Sequence, residues 1–189
     1  MRIIAGSARG RPLEGPGPKS RDIRPTSDKV RGALFNILGQ WMDGLAVLDL
    51  YAGTGALALE ALSRGACCAA LVDPAADAVA LCRRNADKTG FGDKVEILRS
   101  TAERACERLG REGRRFELVF ADPPYAQHAG AEIVALVGRA GVLAPGGVLV
   151  VEHDAREEIP SLEAAGPGGL RRTDPRKFGG TAVSFFSLS

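Results

Sequence analysis

The sequence predicts an α/β protein: a doubly wound, mostly parallel sheet of seven strands, with a small β-hairpin extension at its amino end. Three observations predict this. From Leu45 onward, short apolar runs alternate with amphipathic segments at helical spacing. The runs are almost continuously apolar, as strands covered on both faces require. A glycine turn, Gly53-Thr54-Gly55, follows the first of them, at the carboxyl edge where open α/β sheets bind ligands.

Taken in order, Arg2-Ile3-Ile4-Ala5-Gly6 and the stretch Ser7–Leu13 read as two extended pieces about a glycine turn, the expected hairpin. Gly15-Pro16-Gly17-Pro18 follows and denies both helix and central strand, because proline removes a donor and glycine adds backbone entropy. We therefore expect an arm over residues 1–24, mobile until it meets a partner, and a main domain over 25–189. Pro25-Thr26-Ser27 offers cap chemistry for a helix over 28–41, in which Val30, Ala33, Leu34, Ile37, Leu38 and Trp41 share one face. Strands are expected at 46–50, 69–72, 95–98, 118–121 and 148–152. The helices between them are expected at 56–63, 75–86, 101–109 and 129–140. The tail changes character: 170–173 and 182–188 flank a turn-rich 175–180, which reads as an antiparallel hairpin closing one edge.

Composition narrows the class. The 189 residues are 45% hydrophobic and 25% charged, which suits one packed domain and excludes wholesale disorder. No run of ~18 uncharged apolar residues is present for a membrane span, and no apolar leader opens the chain, so a cytoplasmic protein is expected. The four cysteines lack metal-ligand spacing and read as reduced core thiols; with only two histidines, no metal is expected. The net charge of +2 hides an asymmetry. Residues 1–31 carry eight basic and three acidic side chains, while the rest of the chain is net acidic. Such a basic leading segment suits a polyanion, because phosphate neutralisation by Lys and Arg dominates nucleic-acid affinity. A solvated arm would carry the same charge.

The chemistry concentrates at two strand ends. Glycines at 53 and 55 let the backbone turn tightly and approach a ligand without Cβ interference. The pattern Gly53-x-Gly55-x-x-Ala58, with Asp73 twenty residues after Gly53, also fits a dinucleotide fingerprint, so a nicotinamide oxidoreductase is a rival. Asp49 separates the two. A pyrophosphate at ~4 Å from this carboxylate would cost about 4 kcal/mol per like-charge contact at an effective dielectric of ~20. S-adenosylmethionine, which has no phosphate and carries a sulfonium and an ammonium, suits the acid. Asp73 could accept both ribose hydroxyls, or simply cap the next helix.

The second strand end is Asp122-Pro123-Pro124-Tyr125. Two prolines stiffen the backbone and remove two donors, leaving the Asp122 carboxylate and the Pro123 carbonyl as acceptors. An exocyclic base amine, whose lone pair is delocalised into its ring, needs acceptors for its two N–H groups and a flat face such as Tyr125. A rigid turn would use the same residues.

These motifs resemble the class I S-adenosylmethionine-dependent methyltransferases that modify amino nitrogens, a group with a Rossmann-like methyltransferase fold. Asp49–Gly55 looks like their cofactor loop, Asp73 like their ribose acid, and Asp122–Tyr125 like their amine-binding motif. More narrowly, Arg2-Ile3-Ile4-Ala5-Gly6, Arg24-Pro25-Thr26-x-Asp28-Lys29-Val30-Arg31 and Leu34-Phe35-Asn36-Ile37-Leu38 resemble the RsmD family of 16S ribosomal RNA guanine-N2 methyltransferases. The resemblance implies S-adenosyl-L-methionine as cofactor, held by Asp49, Tyr51, Gly53, Gly55, Asp73, Thr101 and Ala102. It implies a catalytic set of Asp122, Pro123, Pro124 and Tyr125, and RNA contacts from Arg2, Arg9, Arg11, Arg21, Arg24, Lys29 and Arg31. The expected partner is 16S ribosomal RNA or the small ribosomal subunit, met by a monomer.

Two departures stand out: Thr101 occupies a position where related enzymes place an acid or amide near adenine, and Ala126–Ala129 lacks a basic pair. Arg171, Arg172, Arg176 and Lys177 could supply charge instead. The expected reaction is in-line methyl transfer from sulfur to nitrogen. The rivals besides the oxidoreductase are a methyltransferase acting on DNA adenine or another ribosomal RNA amine, and a non-catalytic RNA-binding module. The first normally needs a recognition region that this chain does not hold between its two acids.

Overall fold

A computed structural model describes residues 1–16, 28–39, 42–123, 129–161, 169–173 and 175–188. They form two units, Met1–Thr101 and Ala102–Ser189.

In the first unit, α1 (Asp28–Leu38) precedes β1 (Ala46–Asp49), α2 (Ala56–Ser63), β2 (Cys68–Asp73), α3 (Ala76–Thr89) and β3 (Val95–Arg99). The three strands are parallel in the order β3-β2-β1, with Asp49 opposite Leu71 and Asp73 opposite Arg99. Consecutive parallel strands joined by helices are the geometry that apolar runs of this length demand, since the crossover must pack back on the sheet. Val47, Leu48, Leu71 and Val72 are fully buried, and Leu59 and Leu62 of α2 pack with them in the core.

Residues 1–16 belong to this unit and pack on it. The chain doubles back through bonds from the Ile3 amide to Arg11 and the Leu13 amide to Met1, with an antiparallel bridge between Arg2 and Pro12. Ile3 is fully buried. Glu60 on α2 accepts from the amides of Ile4 (2.7 Å) and Ala5 (3.0 Å), and the Ser63 hydroxyl donates to the Ala5 carbonyl and accepts from the Ala8 amide. Of the arm expected over residues 1–24, residues 1–16 are thus docked on the first unit. The backbone of 1–16 finds its hydrogen-bond partners on α2 and α3, and the linker glycines and prolines lie downstream of that contact.

In the second unit, α4 (Ala102–Arg111) and α5 (Gly130–Ala140) flank β4 (Phe116–Ala121); β5 (Leu143–Asp154) lies parallel to β4. β6 (Leu170–Arg172), β7 (Arg176–Phe178) and β8 (Thr181–Leu188) add antiparallel pairs: β8 pairs β5, and β6 and β7 pair β8. The expected tail hairpin is present in richer form. Gly179, at φ 66°, and Gly180 make a two-residue turn between β7 and β8, so eight strands stand among the described residues where seven were expected. β5 also begins five residues earlier than anticipated. Its register with β4 slips between Phe116 and Leu118, which accommodates Pro145 and Gly146 (φ 77°) as an irregularity within the strand.

Candidate cofactor and amine sites

β1 delivers Asp49 to the carboxyl edge of the first unit. The strand's Val47 and Leu48 are fully buried, so the acid arrives sealed, at 1% exposure. Burial pushes its carboxyl up to about 7; the backbone N–H groups of Tyr51 and Ala58 bond it and oppose the rise, while the charge of Asp73 adds to it. Its Oδ1 has no hydrogen-bond partner among the described residues. A buried acceptor left open costs about 1–3 kcal/mol, and more when charged. Backbone amides thus bond Asp49 while its Oδ1 stays open.

The turn after it is built for close approach. Gly53 (φ 52°) and Gly55 (φ 76°) lie in the left-handed region, and a Cβ on Gly55 would stand 3.0 Å from Leu71 Cδ2. Gly55 caps α2 with backbone alone, with no side-chain hydrogen bond there. The Gly53 amide donates to Asp73 Oδ2 (3.0 Å), and Asp73 Oδ1 accepts from the Ala75 amide (2.9 Å) at the start of α3. Asp73 therefore does cap a helix, while also fixing the turn. It is half-buried, and each oxygen keeps a second lone pair.

Three residues that sequence reading missed complete this region. The buried Cys82 thiol donates to the Gly53 carbonyl (3.3 Å), and the Asn85 amide donates to the Thr54 carbonyl (2.9 Å), so α3 grips the turn from outside. Nothing in a polar helix stretch marks Asn85 in advance. Glu60 did carry a signal, as the lone charge in the apolar run Ala56–Ser63. It is fully buried between Arg31 (3.8 Å) and Arg64 (2.8 Å).

The remaining assignments divide. Tyr51 is half-buried within the loop; Thr101 is exposed immediately before α4, and Ala102 is buried as its first residue. In the second unit, Asp122 follows β4 directly and is half-buried, and Pro123 is buried. Pro124 and Tyr125 lie outside the described residues, as do Arg21, Arg24 and the Lys29 side chain. Arg2, Arg9 and Arg11 are exposed. Arg31 is not: it is fully buried, donating to the Arg2 carbonyl and to Asp28 (3.0 Å), and burial holds its guanidinium below the usual arginine range. Its place in an RNA face is corrected, because the side chain is buried beside Glu60 and Asp28.

The cysteine reading needs a similar correction. Cys82 and Cys106 are buried thiols, but Cys67 and Cys68 are exposed where β2 begins, with sulfurs 3.4 Å apart. Among the described residues no group of three His, Cys, Asp or Glu side chains could hold a metal ion, and no helix is long and apolar enough to cross a membrane.

The donor set fits an adenosyl cofactor on structural grounds: an open, buried carboxylate oxygen for a cation, a glycine cradle, and a second carboxylate twenty residues on. Comparison with known proteins agrees. The family model described as conserved hypothetical protein 95 matches residues 1–187. YlbH of Bacillus subtilis is 34% identical over 186 residues, 98% of each chain, and ribosomal RNA small subunit methyltransferase D of Escherichia coli is 35% identical over 164 residues, 87% of this chain and 80% of that one. Among solved structures, the Escherichia coli protein yhhF superposes with a TM-score of 0.81 at 30% identity, covering 100% of this chain and 98% of its own. An RNA methyltransferase from Salinibacter ruber in complex with S-adenosyl-L-homocysteine shares the fold, with a TM-score of 0.63 at 18% identity, covering 87% and 93%. With its turn, its two acids and its full-length match, this chain belongs to the conserved hypothetical protein 95 family, the RsmD family of S-adenosylmethionine-dependent methyltransferases.

Proposed function

We propose that this protein methylates the exocyclic N2 of a guanine in 16S ribosomal RNA, acting as a cytoplasmic monomer on that RNA or on the small subunit. The observation that carries the cofactor half is the buried Asp49 with Oδ1 open beside the glycine turn. It argues equally against a dinucleotide, whose pyrophosphate would meet this acid.

When bound, S-adenosylmethionine supplies an electrophilic methyl group on a cationic sulfur. Asp49 holds the positive charge of the ligand; Gly53 and Gly55 leave the backbone open to it; Asp73 accepts the ribose hydroxyls with its spare lone pairs. Asp122 and the Pro123 carbonyl accept the two N–H groups of the guanine amine, Tyr125 stacks on the base, and the proton released after transfer passes to Asp122 or water. Orientation of this kind is worth about 7–11 kcal/mol of barrier. Thr101 and Ala102 take the adenine side. Arg2, Arg9 and Arg11, with Arg21, Arg24 and Lys29, bind RNA phosphates.

The test is incubation with labelled S-adenosylmethionine and undermethylated small subunits, followed by nucleoside analysis. N2-methylguanosine is expected, and Asp122→Ala should lower its formation by about 10²–10⁴-fold with cofactor affinity intact. A different methylated nucleoside, or equal loss of binding and turnover in the variant, would overturn the assignment.

A further inference from the structure

Asn85 is fully buried in the middle of α3, and every polar group of its side chain is engaged. Its Oδ1 accepts from the Glu14 amide (2.7 Å), and its Nδ2 donates to the Glu14 carbonyl (3.1 Å) and to the Thr54 carbonyl (2.9 Å). One amide therefore pairs with the backbone of the N-terminal segment in both directions, as a neighbouring strand would, and holds the centre of the glycine turn at the same time. The Thr54 carbonyl lies between Gly53, whose amide is tied to Asp73, and Gly55, which caps α2.

The segment's remaining contacts to α3 are of a different kind. Glu14 pairs with Arg84 (2.7 Å) and Lys88 through exposed side chains, and Arg11 Nη1 reaches the Lys88 carbonyl at 3.4 Å. Exposed pairs of this sort contribute little, whereas a buried amide that loses a partner leaves orphaned groups behind.

We propose that Asn85 is a positioning residue that couples attachment of residues 1–16 to occupancy of the glycine turn, so that the donor, by ordering the turn, also fastens the segment that carries Arg2, Arg9 and Arg11. This rests on the donor reading above. The physical warrant is that a ligand which orders one end of a shared hydrogen-bonded element lowers the cost of ordering the other. The consequence for the enzyme is an RNA-facing segment that is best presented when the cofactor is already in place.

The experiment uses the full chain with S-adenosylhomocysteine as probe, following calorimetric affinity and amide hydrogen exchange of residues 1–16. In the wild type, saturation should slow exchange at the Glu14 amide by about tenfold, the scale of one or two net hydrogen bonds. Asn85→Asp keeps the acceptor for the Glu14 amide and removes both donated bonds. It should bind the probe about tenfold more weakly and lose the ligand-dependent slowing. Glu14→Ala removes only the exposed ion pairs and should retain it. Probe bound to the wild type with unchanged exchange in 1–16 would overturn the coupling whatever the variants do, as would full slowing in Asn85→Asp. Failure of the probe to bind the wild type would instead overturn the cofactor reading, and the coupling with it.

Discussion

Asp49 and Glu60 are both carboxylates sealed inside the first unit, eleven positions apart, and they are treated in opposite ways. Glu60 meets two guanidinium groups, Arg31 and Arg64, and two backbone amides, so both of its oxygens are engaged. Asp49 meets backbone amides only and keeps an oxygen open. Burial alone therefore does not distinguish a structural acid from a functional one. The distinction lies in whether the fold completes the hydrogen-bonding of the charge or leaves a place for a ligand to do so. Glu60 clasps the N-terminal segment to α2, whereas Asp49 keeps open the oxygen that we propose meets the cation of the cofactor.

The sharpest way to break this comparison is Glu60→Ala. Removing the acid takes the counter-charge of Glu60 from the buried Arg64 and leaves Arg31 with that of Asp28, and about 3–5 kcal/mol of stability should be lost, seen as a lower urea midpoint. A loss under about 1 kcal/mol would mean that the clasp is ornamental.

Asp49→Asn tests the other side. An acid whose folded value lies near 7, against an unfolded value of 3.8, binds more protons when folded, so the fold loses stability as pH rises through that interval. Urea titrations from pH 4 to pH 8 should show a wild-type slope that the Asn variant lacks, a difference on the order of 2–4 kcal/mol across the range. The same variant should bind S-adenosylmethionine about tenfold more weakly and lose a wild-type affinity that strengthens as pH rises toward 7. Parallel stability curves for the two proteins would sink the claim that Asp49 is held in an unsatisfied state.

The smallest effect concerns the turn between the two acids. Gly55→Ala places a Cβ at φ 76° against Leu71 and should cost about 1–2 kcal/mol in thermal or urea unfolding, with weaker cofactor binding. Unchanged unfolding would show that the turn relaxes freely and that its left-handed geometry is not required.

Much of this was legible in the chain itself. The apolar runs at 46–50, 69–72 and 118–121 placed β1, β2 and β4 to within a few residues, because a strand covered on both faces has no other composition available. The positions of Asp49, the two glycines, Asp73 and Asp122 were legible for the same kind of reason: each depends on local order, a strand followed at once by a turn. Arg31 shows where that reasoning stops. It belongs to the basic leading segment, which suggests a solvent face, yet its partners are Asp28 and Glu60, the latter twenty-nine positions away. Cys67 and Cys68 erred in the other direction, since their apolar character gave no sign that β2 starts at an exposed end. The tail strand β7 was hidden because three residues of Arg-Lys-Phe carry no period.

By itself, then, the order of residues determined the parallel α/β character, the glycine turn and the acids at two strand ends, since each arises from contacts between near neighbours or from the periodicity of burial. Tertiary structure decided which charges are sealed and by whom. It docked residues 1–16 on α2 and α3, turned Arg31 inward, engaged Asn85 on three backbone groups and left one oxygen of Asp49 open. These outcomes depend on desolvation and on partners far away in the chain, and the cost of burying a charge is set by what surrounds it in space.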